Sequence, residues 1–187
     1  LMRSSAASDV YKRQQLEQAF VELFKAEGYD YVYGESISRD TRDVILYDDL
    51  RLYLQKKYEA EHITEDEINR AITRLETSDG GGVYAENVEA LRLLQEGFSL
   101  KRTNPKLPNL HIYPIDFTEV NNNELGKNNI FRFVNQFAID GEHHRIPDGI
   151  VFVNGLPLVV LEFKNAIKQN TTIENAFKQL TVRYRRD

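Results

Sequence analysis

One stretch of sequence constrains the fold of this chain more than any other. Residues 146–165 read IPDGIVFVNGLPLVVLEFKN, in which two apolar runs meet at Asn154-Gly155. Asn-Gly between two apolar runs predicts a β-hairpin. Strands as apolar as these are normally buried on both faces. The hairpin is therefore predicted to lie inside a sheet, and the charged residues at its outer ends need a specific role.

Those charged residues are Asp148 before the first strand, and Glu162 and Lys164 at the end of the second. The two acids are enough to hold Mg²⁺, which takes few carboxylates and keeps several waters. The backbone carbonyl of Phe163 is predicted as a third metal ligand. Lys164 is predicted to orient the metal-bound water and to stabilise charge on a phosphate. Mg²⁺-dependent nucleases use residues of these types in such an arrangement.

The pairing of the hairpin strands decides whether such a site can form. A tight two-residue loop with unbroken pairing would turn Asp148 and Glu162 to opposite faces of the sheet. We therefore expect an extra loop residue or a bulge near residues 154–156, which pairs Val153 with Pro157. In the alternative, the outer ends of the hairpin simply reach solvent, where charges are ordinary. The residues alone favour neither interpretation.

The composition of the chain excludes several classes of protein and of metal site. With 187 residues and 41% hydrophobic residues the chain suits one globular domain, and it contains no cysteine and no apolar run of membrane-spanning length. Disulfides and thiolate metal sites are excluded, and a cytoplasmic location is expected. The net charge of −5 argues against a protein that coats DNA nonspecifically. The chain end is locally basic, and Lys168, Lys178 and Arg183 are predicted DNA contacts, with a solvated helix face as the alternative.

The chain divides into a leader and one domain. Residues 1–14 show no apolar period and are predicted to be a non-native or disordered leader. Residues 15–187 are predicted to form the domain, as a fragment of a longer protein. The run Gly80–Gly82 lacks the Lys-Ser/Thr of a phosphate loop and is expected to end a helix. His143 and His144 are adjacent, so they are expected to be loop residues rather than a metal site.

Periodicity and cap signals give the order of elements. Helices are predicted before Gly28, over residues 48–58, after a Thr64–Glu67 capping box, and over residues 86–96 before Gly97. Strands are predicted over residues 110–117 and 129–139, followed by the hairpin and by a last helix from about Thr171. Helices, then a strand meander, then a helix predict an α+β or mixed α/β fold with a central sheet flanked by helices.

The motif Pro147-Asp148 followed by Glu162-x-Lys164 resembles the PD-(D/E)xK nuclease superfamily. More narrowly, Arg145 to Asn165 looks like the N-terminal nuclease domain of the restriction (R) subunit of type I restriction-modification enzymes. Similarity extends to residues 28–34, 135–137 and 176–187, and so covers roughly residues 15–187. The resemblance implies a restriction-endonuclease-like core with a central mixed sheet.

By position, the resemblance makes Asp148 and Glu162 metal ligands and Lys164 the catalytic lysine. It implies that Glu17 on the first helix is a further acid near the metal. Gln179 matches a family residue that contacts DNA or supports the site, whereas Tyr184 is off the family spacing and is expected to pack in the core.

The resemblance also implies partners. These are double-stranded DNA, Mg²⁺, and methyltransferase and specificity subunits. In the family, C-terminal helicase-like motor domains use ATP, and ATP therefore belongs to the full-length subunit and not to this chain. Two alternatives remain: a stand-alone repair or resolvase nuclease, and a catalytically silent module that docks DNA or another subunit.

Overall fold

The computed structural model describes residues 2–77, 80–120, 124–125 and 128–163. The helices of this part are α1 (Met2–Ala26), α2 (Tyr47–Lys57), α3 (Glu65–Glu76) and α4 (Val83–Glu96). The strands are β1 (Asp30–Tyr33), β2 (Phe98–Leu100), β3 (Leu110–Ile112), β4 (Glu119–Val120), β5 (Glu124–Leu125), β6 (Phe131–Asn135), β7 (Ile139–Asp140), β8 (His144–Arg145), β9 (Gly149–Val153) and β10 (Leu156–Leu161). No helix in these ranges is both long and apolar enough to cross a membrane.

The described residues form two compact units. The sheet unit comprises residues 2–44, 131–152 and 156–163. The helical unit comprises the described residues between 45 and 130 together with residues 153–155.

The sheet unit is built on a four-stranded sheet with the order β1-β6-β9-β10. β1 runs parallel to β6, with Asp30 opposite Arg132 and Tyr33 opposite Asn135. β9 and β10 are joined by a tight turn and are therefore antiparallel, so the sheet is mixed. The structure therefore confirms the prediction of a fold that combines helices with a central mixed sheet. The predicted strand meander is present only in part, because β6, β9 and β10 are neighbours in the sheet whereas β3 pairs with β2 in a separate sheet.

Helix α1 packs on this sheet through aromatic rings. Phe24 stacks on Phe133 of β6 with ring centroids 4.4 Å apart, and Val21 is 3% exposed in the same cluster. The helix ends as predicted: Gly28 has a φ of 85°, and the N–H of Tyr29 donates to the carbonyl of Phe24 at 2.9 Å. α1 already includes residues 2–14. The domain boundary at residue 15 stays a prediction.

The helical unit contains α2, α3 and α4 with two small β-hairpins, β2-β3 and β4-β5. The predicted capping box is confirmed, since Thr64 N–H donates to the Glu67 carboxylate at 2.9 Å and Glu67 N–H donates to the Thr64 hydroxyl at 3.3 Å. α4 begins at Val83, three residues before the predicted start, because Gly82 serves as its N-cap. It ends as predicted at Gly97, which has a φ of 70°.

The strands predicted before the β9-β10 hairpin are shorter than predicted. β3 stops at Ile112, and Pro114 just beyond it has no N–H for a ladder. β6 stops at Asn135, since Gln136 takes a left-handed φ of 53° that ends extended pairing. Local backbone chemistry therefore truncates apolar runs that periodicity alone would extend.

The two adjacent histidines differ from each other. His144 lies in the short strand β8 opposite Asp140, so its prediction as a loop residue is wrong. Its Nδ1 is 2.5 Å from the Asp140 carboxylate, and that partner explains why the strand forms there. His143 lies outside the strands, as predicted. The predicted helix from Thr171 falls outside the described residues.

Candidate active site

The hairpin predicted from the sequence is present, with β9 joined to β10 by Asn154 and Gly155. Both turn residues are left-handed, with φ values of 52° and 79°, as in a type I′ turn. The loop is therefore the tight two-residue form, so of the two predicted irregularities the extra loop residue is wrong, and the bulge near residues 154–156 remains. Gly155 has no substitute here, because a Cβ would lie 2.2 Å from the carbonyl oxygen of Leu46.

The strand pairing nevertheless departs from a regular hairpin. A Cβ placed on Gly149 would lie 3.7 Å from the Cβ of Leu161. Such closeness marks two residues that oppose each other on one face, since the next residue along a strand points to the other face. Unbroken pairing from the turn would instead place Val160 opposite Gly149. The additional residue therefore lies in β10, which has six residues against five in β9.

This slip has a direct consequence for the predicted metal ligands. Asp148 and Glu162 are each one residue outward from the opposed pair Gly149 and Leu161. By strand alternation they turn to one common face. A regular hairpin would have turned them to opposite faces, so the β10 irregularity gives the arrangement that a two-carboxylate site requires.

The Asp148 carboxylate is fixed against the opposite strand end. Asp148 is 1% exposed, and its Oδ2 accepts a hydrogen bond from the Phe163 N–H at 2.6 Å. A short bond from an amide to a carboxylate is strong and directional. It holds the carboxylate beside the backbone that carries the half-buried Glu162 side chain and the Phe163 carbonyl. The structure thus brings Asp148 together with the segment that contains the other two predicted ligands.

Phe163 is itself held in place by helix α1. Its ring is 9% exposed and lies 4.6 Å from the ring of Phe20. One turn further along α1, Phe24 stacks on Phe133. Phe133 in turn lies against Gly149, where a Cβ would approach its ring to 2.6 Å. A continuous set of aromatic contacts therefore supports both strand ends that carry the predicted ligands.

The sequence predicts a helix before Gly28, but it did not predict this supporting role of Phe20. The contact joins residues far apart in the chain, and no local pattern records it. The available signal was the pair Phe20 and Phe24, two aromatic rings one helical turn apart on the same face.

The other predicted site residues are less constrained. Glu17 is half-buried on α1, three residues before Phe20 and thus on a neighbouring face of the helix. Within the described ranges, no three His, Cys, Asp or Glu residues form a group that holds a metal ion, and the metal role of Glu17 stays a prediction. Several predicted residues lie outside the described part of the chain: Lys164, Lys168, Lys178, Gln179, Arg183 and Tyr184.

Comparison with known proteins gives a consistent result. Residues 11–187 match the sequence model of the type I restriction enzyme R protein N terminus. The chain is 29% identical over 175 residues to the type I restriction enzyme HindI endonuclease subunit of Haemophilus influenzae, covering 88% of this chain and 16% of that protein. It is 27% identical over 175 residues to the SsaAORF53P endonuclease subunit of Staphylococcus saprophyticus, covering 91% of this chain and 16% of that protein.

The chain therefore spans about one sixth of the length of these curated relatives, 16% in each case. The matched region includes the hairpin and the helix that supports it, because it begins at residue 11 and extends to residue 187. This chain belongs to the family of type I restriction enzyme R protein N-terminal domains.

Proposed function

We propose that this chain is a Mg²⁺-dependent endonuclease module that cleaves phosphodiester bonds of double-stranded DNA. The observation that carries the proposal is the Asp148 carboxylate, buried at a strand end and held on the Phe163 amide. Burying an acid costs free energy, which hydrogen bonds such as the one from the Phe163 amide and a bound cation can offset. Oxygen donors from Asp148, Glu162 and the Phe163 carbonyl are the hard ligands that Mg²⁺ prefers.

Each residue of this set has a separate task. Bound Mg²⁺ would supply positive charge at the phosphate and lower the pKa of a bound water. Asp148 and Glu162 bind the ion, and the Phe163 amide fixes the direction of the Asp148 carboxylate. Lys164 follows directly on Phe163, and we assign it the task of orienting the water and stabilising charge on the phosphate oxygens.

The proposal also assigns DNA contacts outside the metal site and partners for the chain. Gln179, Lys168, Lys178 and Arg183 contact the DNA backbone next to the cut, which supplies affinity without sequence selectivity. Selection of the target and movement along DNA are tasks of the rest of the assembly. We propose methyltransferase and specificity subunits as partners, helicase-like motor domains that use ATP in the full-length subunit, and a cytoplasmic location. The named relatives are restriction enzyme subunits, and this favours the module over a stand-alone nuclease.

Metal binding by the purified chain tests the proposal most directly. Calorimetric titration with Mn²⁺ or Mg²⁺ should show binding by the unaltered chain and none by Asp148→Asn. Glu142→Gln is a matched control, because Glu142 is an exposed acid in the loop between β7 and β8. It should bind metal as the unaltered chain does.

A cleavage assay completes the test. Asp148→Asn introduced into the full-length subunit should abolish DNA cleavage by the assembled complex while leaving ATP hydrolysis intact. Cleavage at the unaltered rate by that variant would show that the assignment of Asp148 is wrong.

A further inference from the structure

The helical unit contains a cavity whose lining residues include none of the candidate metal ligands. It has a volume of about 600 Å³ and is open to solvent on one side. It is formed by residues from the end of α2, from α4 and from the segment after β3. Its lining includes Lys56, Lys57, Gln95, Tyr113, Phe117 and Asn128.

Hydrogen bonds hold the backbone of Tyr113, which lines this cavity, in place. The hydroxyl of Tyr53 donates to the carbonyl of Tyr113 at 2.9 Å, and the N–H of Tyr113 donates to the hydroxyl of Tyr58 at 2.7 Å. Tyr53 and Tyr58 are 1% and 5% exposed. Burial raises the pKa of Tyr58 to about 12, so its hydroxyl stays protonated under all ordinary conditions. The backbone of Tyr113 therefore cannot move without breaking two partly buried hydrogen bonds.

A buried acid at the cavity is neutralised from within the unit. Asp116 is 6% exposed and lies 3.2 Å from the ammonium of Lys57. It also accepts from Asn128 Nδ2 at 2.8 Å and from the Thr118 N–H at 3.0 Å. Burial alone would raise the Asp116 pKa, but the hydrogen bonds from Thr118 and Asn128, with Lys57, outweigh it and lower the pKa. Asp116 thus contributes rigidity rather than an open charge.

Two rings at this cavity are partly exposed, and that of Tyr113 also lies 4.6 Å from the His111 ring. Phe117 is 59% exposed and Tyr113 is 42% exposed. Exposed rings at a preformed concave site indicate a ligand that covers them. The polar groups beside the rings are of mixed type, since Lys56 donates, Glu61 accepts, and Gln95 does both.

We propose that this cavity binds an unpaired nucleotide of a DNA strand, with its base stacked on Phe117 and Tyr113. A nucleobase has two apolar ring faces and a rim of both donors and acceptors, which matches this mixture of groups. A purely apolar peptide would leave Lys56 and Glu61 unpaired, and a free phosphate would need an excess of positive charge that the lining lacks. Lys56 is an exposed residue of the lining, and its ammonium would pair with the backbone phosphate of a stacked nucleotide.

The proposal rests on the proposed function only in taking DNA as the polymer. Stacking of bases on aromatic side chains is tolerant of sequence, so the cavity would hold any exposed base. It would let this domain bind single-stranded DNA in the absence of metal. A domain that works beside a DNA-moving motor would meet such strands.

Binding of a labelled single-stranded oligonucleotide to the purified chain, followed by fluorescence anisotropy in EDTA, tests this. Phe117→Ala and Tyr113→Ala should each raise the Kd about tenfold, as expected for loss of one stacked base. Tyr84→Ala is the matched control, because Tyr84 is 81% exposed on α4 and does not line the cavity. It should leave the Kd unchanged.

Two further strands separate stacking from general attraction. An abasic strand of the same length should bind about tenfold more weakly than the normal strand, and a duplex should also bind more weakly. Equal binding of normal and abasic strands, or no effect of Phe117→Ala and Tyr113→Ala, would overturn the proposal. Asp148→Asn should bind the strand as the unaltered chain does, so failure of the metal site and failure of this cavity are distinguishable.

Discussion

The two units bury acidic side chains equally well but hold them in different ways. In the helical unit Glu67 is 1% exposed and pairs with Arg102 at 2.8 Å. In the sheet unit Asp148 is also 1% exposed, and it accepts a hydrogen bond from the Phe163 amide. A guanidinium neutralises the charge of its partner, whereas a hydrogen bond from a backbone amide fixes the direction in which a carboxylate points. The first arrangement stabilises a fold, and the second suits a metal ligand.

The comparison predicts opposite consequences for two substitutions. Glu67→Ala should lower the free energy of unfolding by about 3–5 kcal/mol, because it leaves Arg102 buried without its carboxylate. Asp148→Asn should lower it by about 1 kcal/mol at most, because the amide oxygen of asparagine can still accept from Phe163. Urea unfolding of both variants measures the difference.

The control for Glu67 is its neighbour Glu65, a more exposed acid paired with Arg51 at 2.5 Å. Glu65→Ala should cost about 1 kcal/mol or less, as surface ion pairs do. If Asp148→Asn proved as destabilising as Glu67→Ala, the distinction between structural and ligand acids in the two units would fail.

Lowering the pH should destabilise the folded chain through Glu67, whose carboxylate is charged and paired with Arg102. Burial alone would raise the Glu67 pKa, but hydrogen bonds from the Thr64 and Thr103 amides and from Arg102 lower the pKa to about 2. Since the folded pKa lies below the unfolded value, this stabilisation is present above about pH 4.5 and is lost as the pH falls towards 2. The loss should reach up to about 3 kcal/mol.

Urea midpoints measured between pH 5 and pH 2.5 follow this loss. Glu67→Gln removes the titrating group, so the pH dependence of its midpoint should be flatter than that of the unaltered chain. Asp116 has a pKa shifted in the same direction and keeps its own contribution. An equally steep dependence in Glu67→Gln would show that other carboxylates control the acid response.

Local signals in the sequence predicted the elements that depend on neighbouring residues. The Thr64–Glu67 capping box, the helix ends at Gly28 and Gly97, and the Asn154-Gly155 turn all lie where they were expected. Each is decided within a few residues by backbone conformation or by a cap, and so each can be read from a short window.

Contacts between distant residues could not be predicted in this way. β1 is four residues long and pairs with a strand about a hundred residues later, so its own sequence carries little trace of its place. The irregularity in β10 has only a weak local signal, Pro157 near the start of an otherwise apolar strand. The site requirement that Asp148 and Glu162 share a face predicted a slip, either as an extra loop residue or as a bulge near residues 154–156, and the first of these is wrong.

The aromatic support of the candidate site gives the smallest and most specific prediction. Phe20→Ala removes the ring that holds Phe163 and should cost about 2 kcal/mol of stability, less than a fully buried phenylalanine because Phe20 is half-buried. Because Phe163 fixes Asp148 through its amide, the same variant should also weaken Mn²⁺ binding while the chain is folded. Calorimetry, with folding checked by circular dichroism, measures this.

A matched control distinguishes support of the site from general loss of packing. Leu23→Ala also shortens an apolar side chain of α1, but Leu23 is 52% exposed, and metal affinity should not change. Phe20→Leu keeps most of the apolar contact and should restore part of the affinity. Unchanged Mn²⁺ affinity in folded Phe20→Ala would mean that the aromatic contacts stabilise the sheet unit without positioning its carboxylates. The sheet unit would then hold Asp148 for structure, as the helical unit holds Glu67.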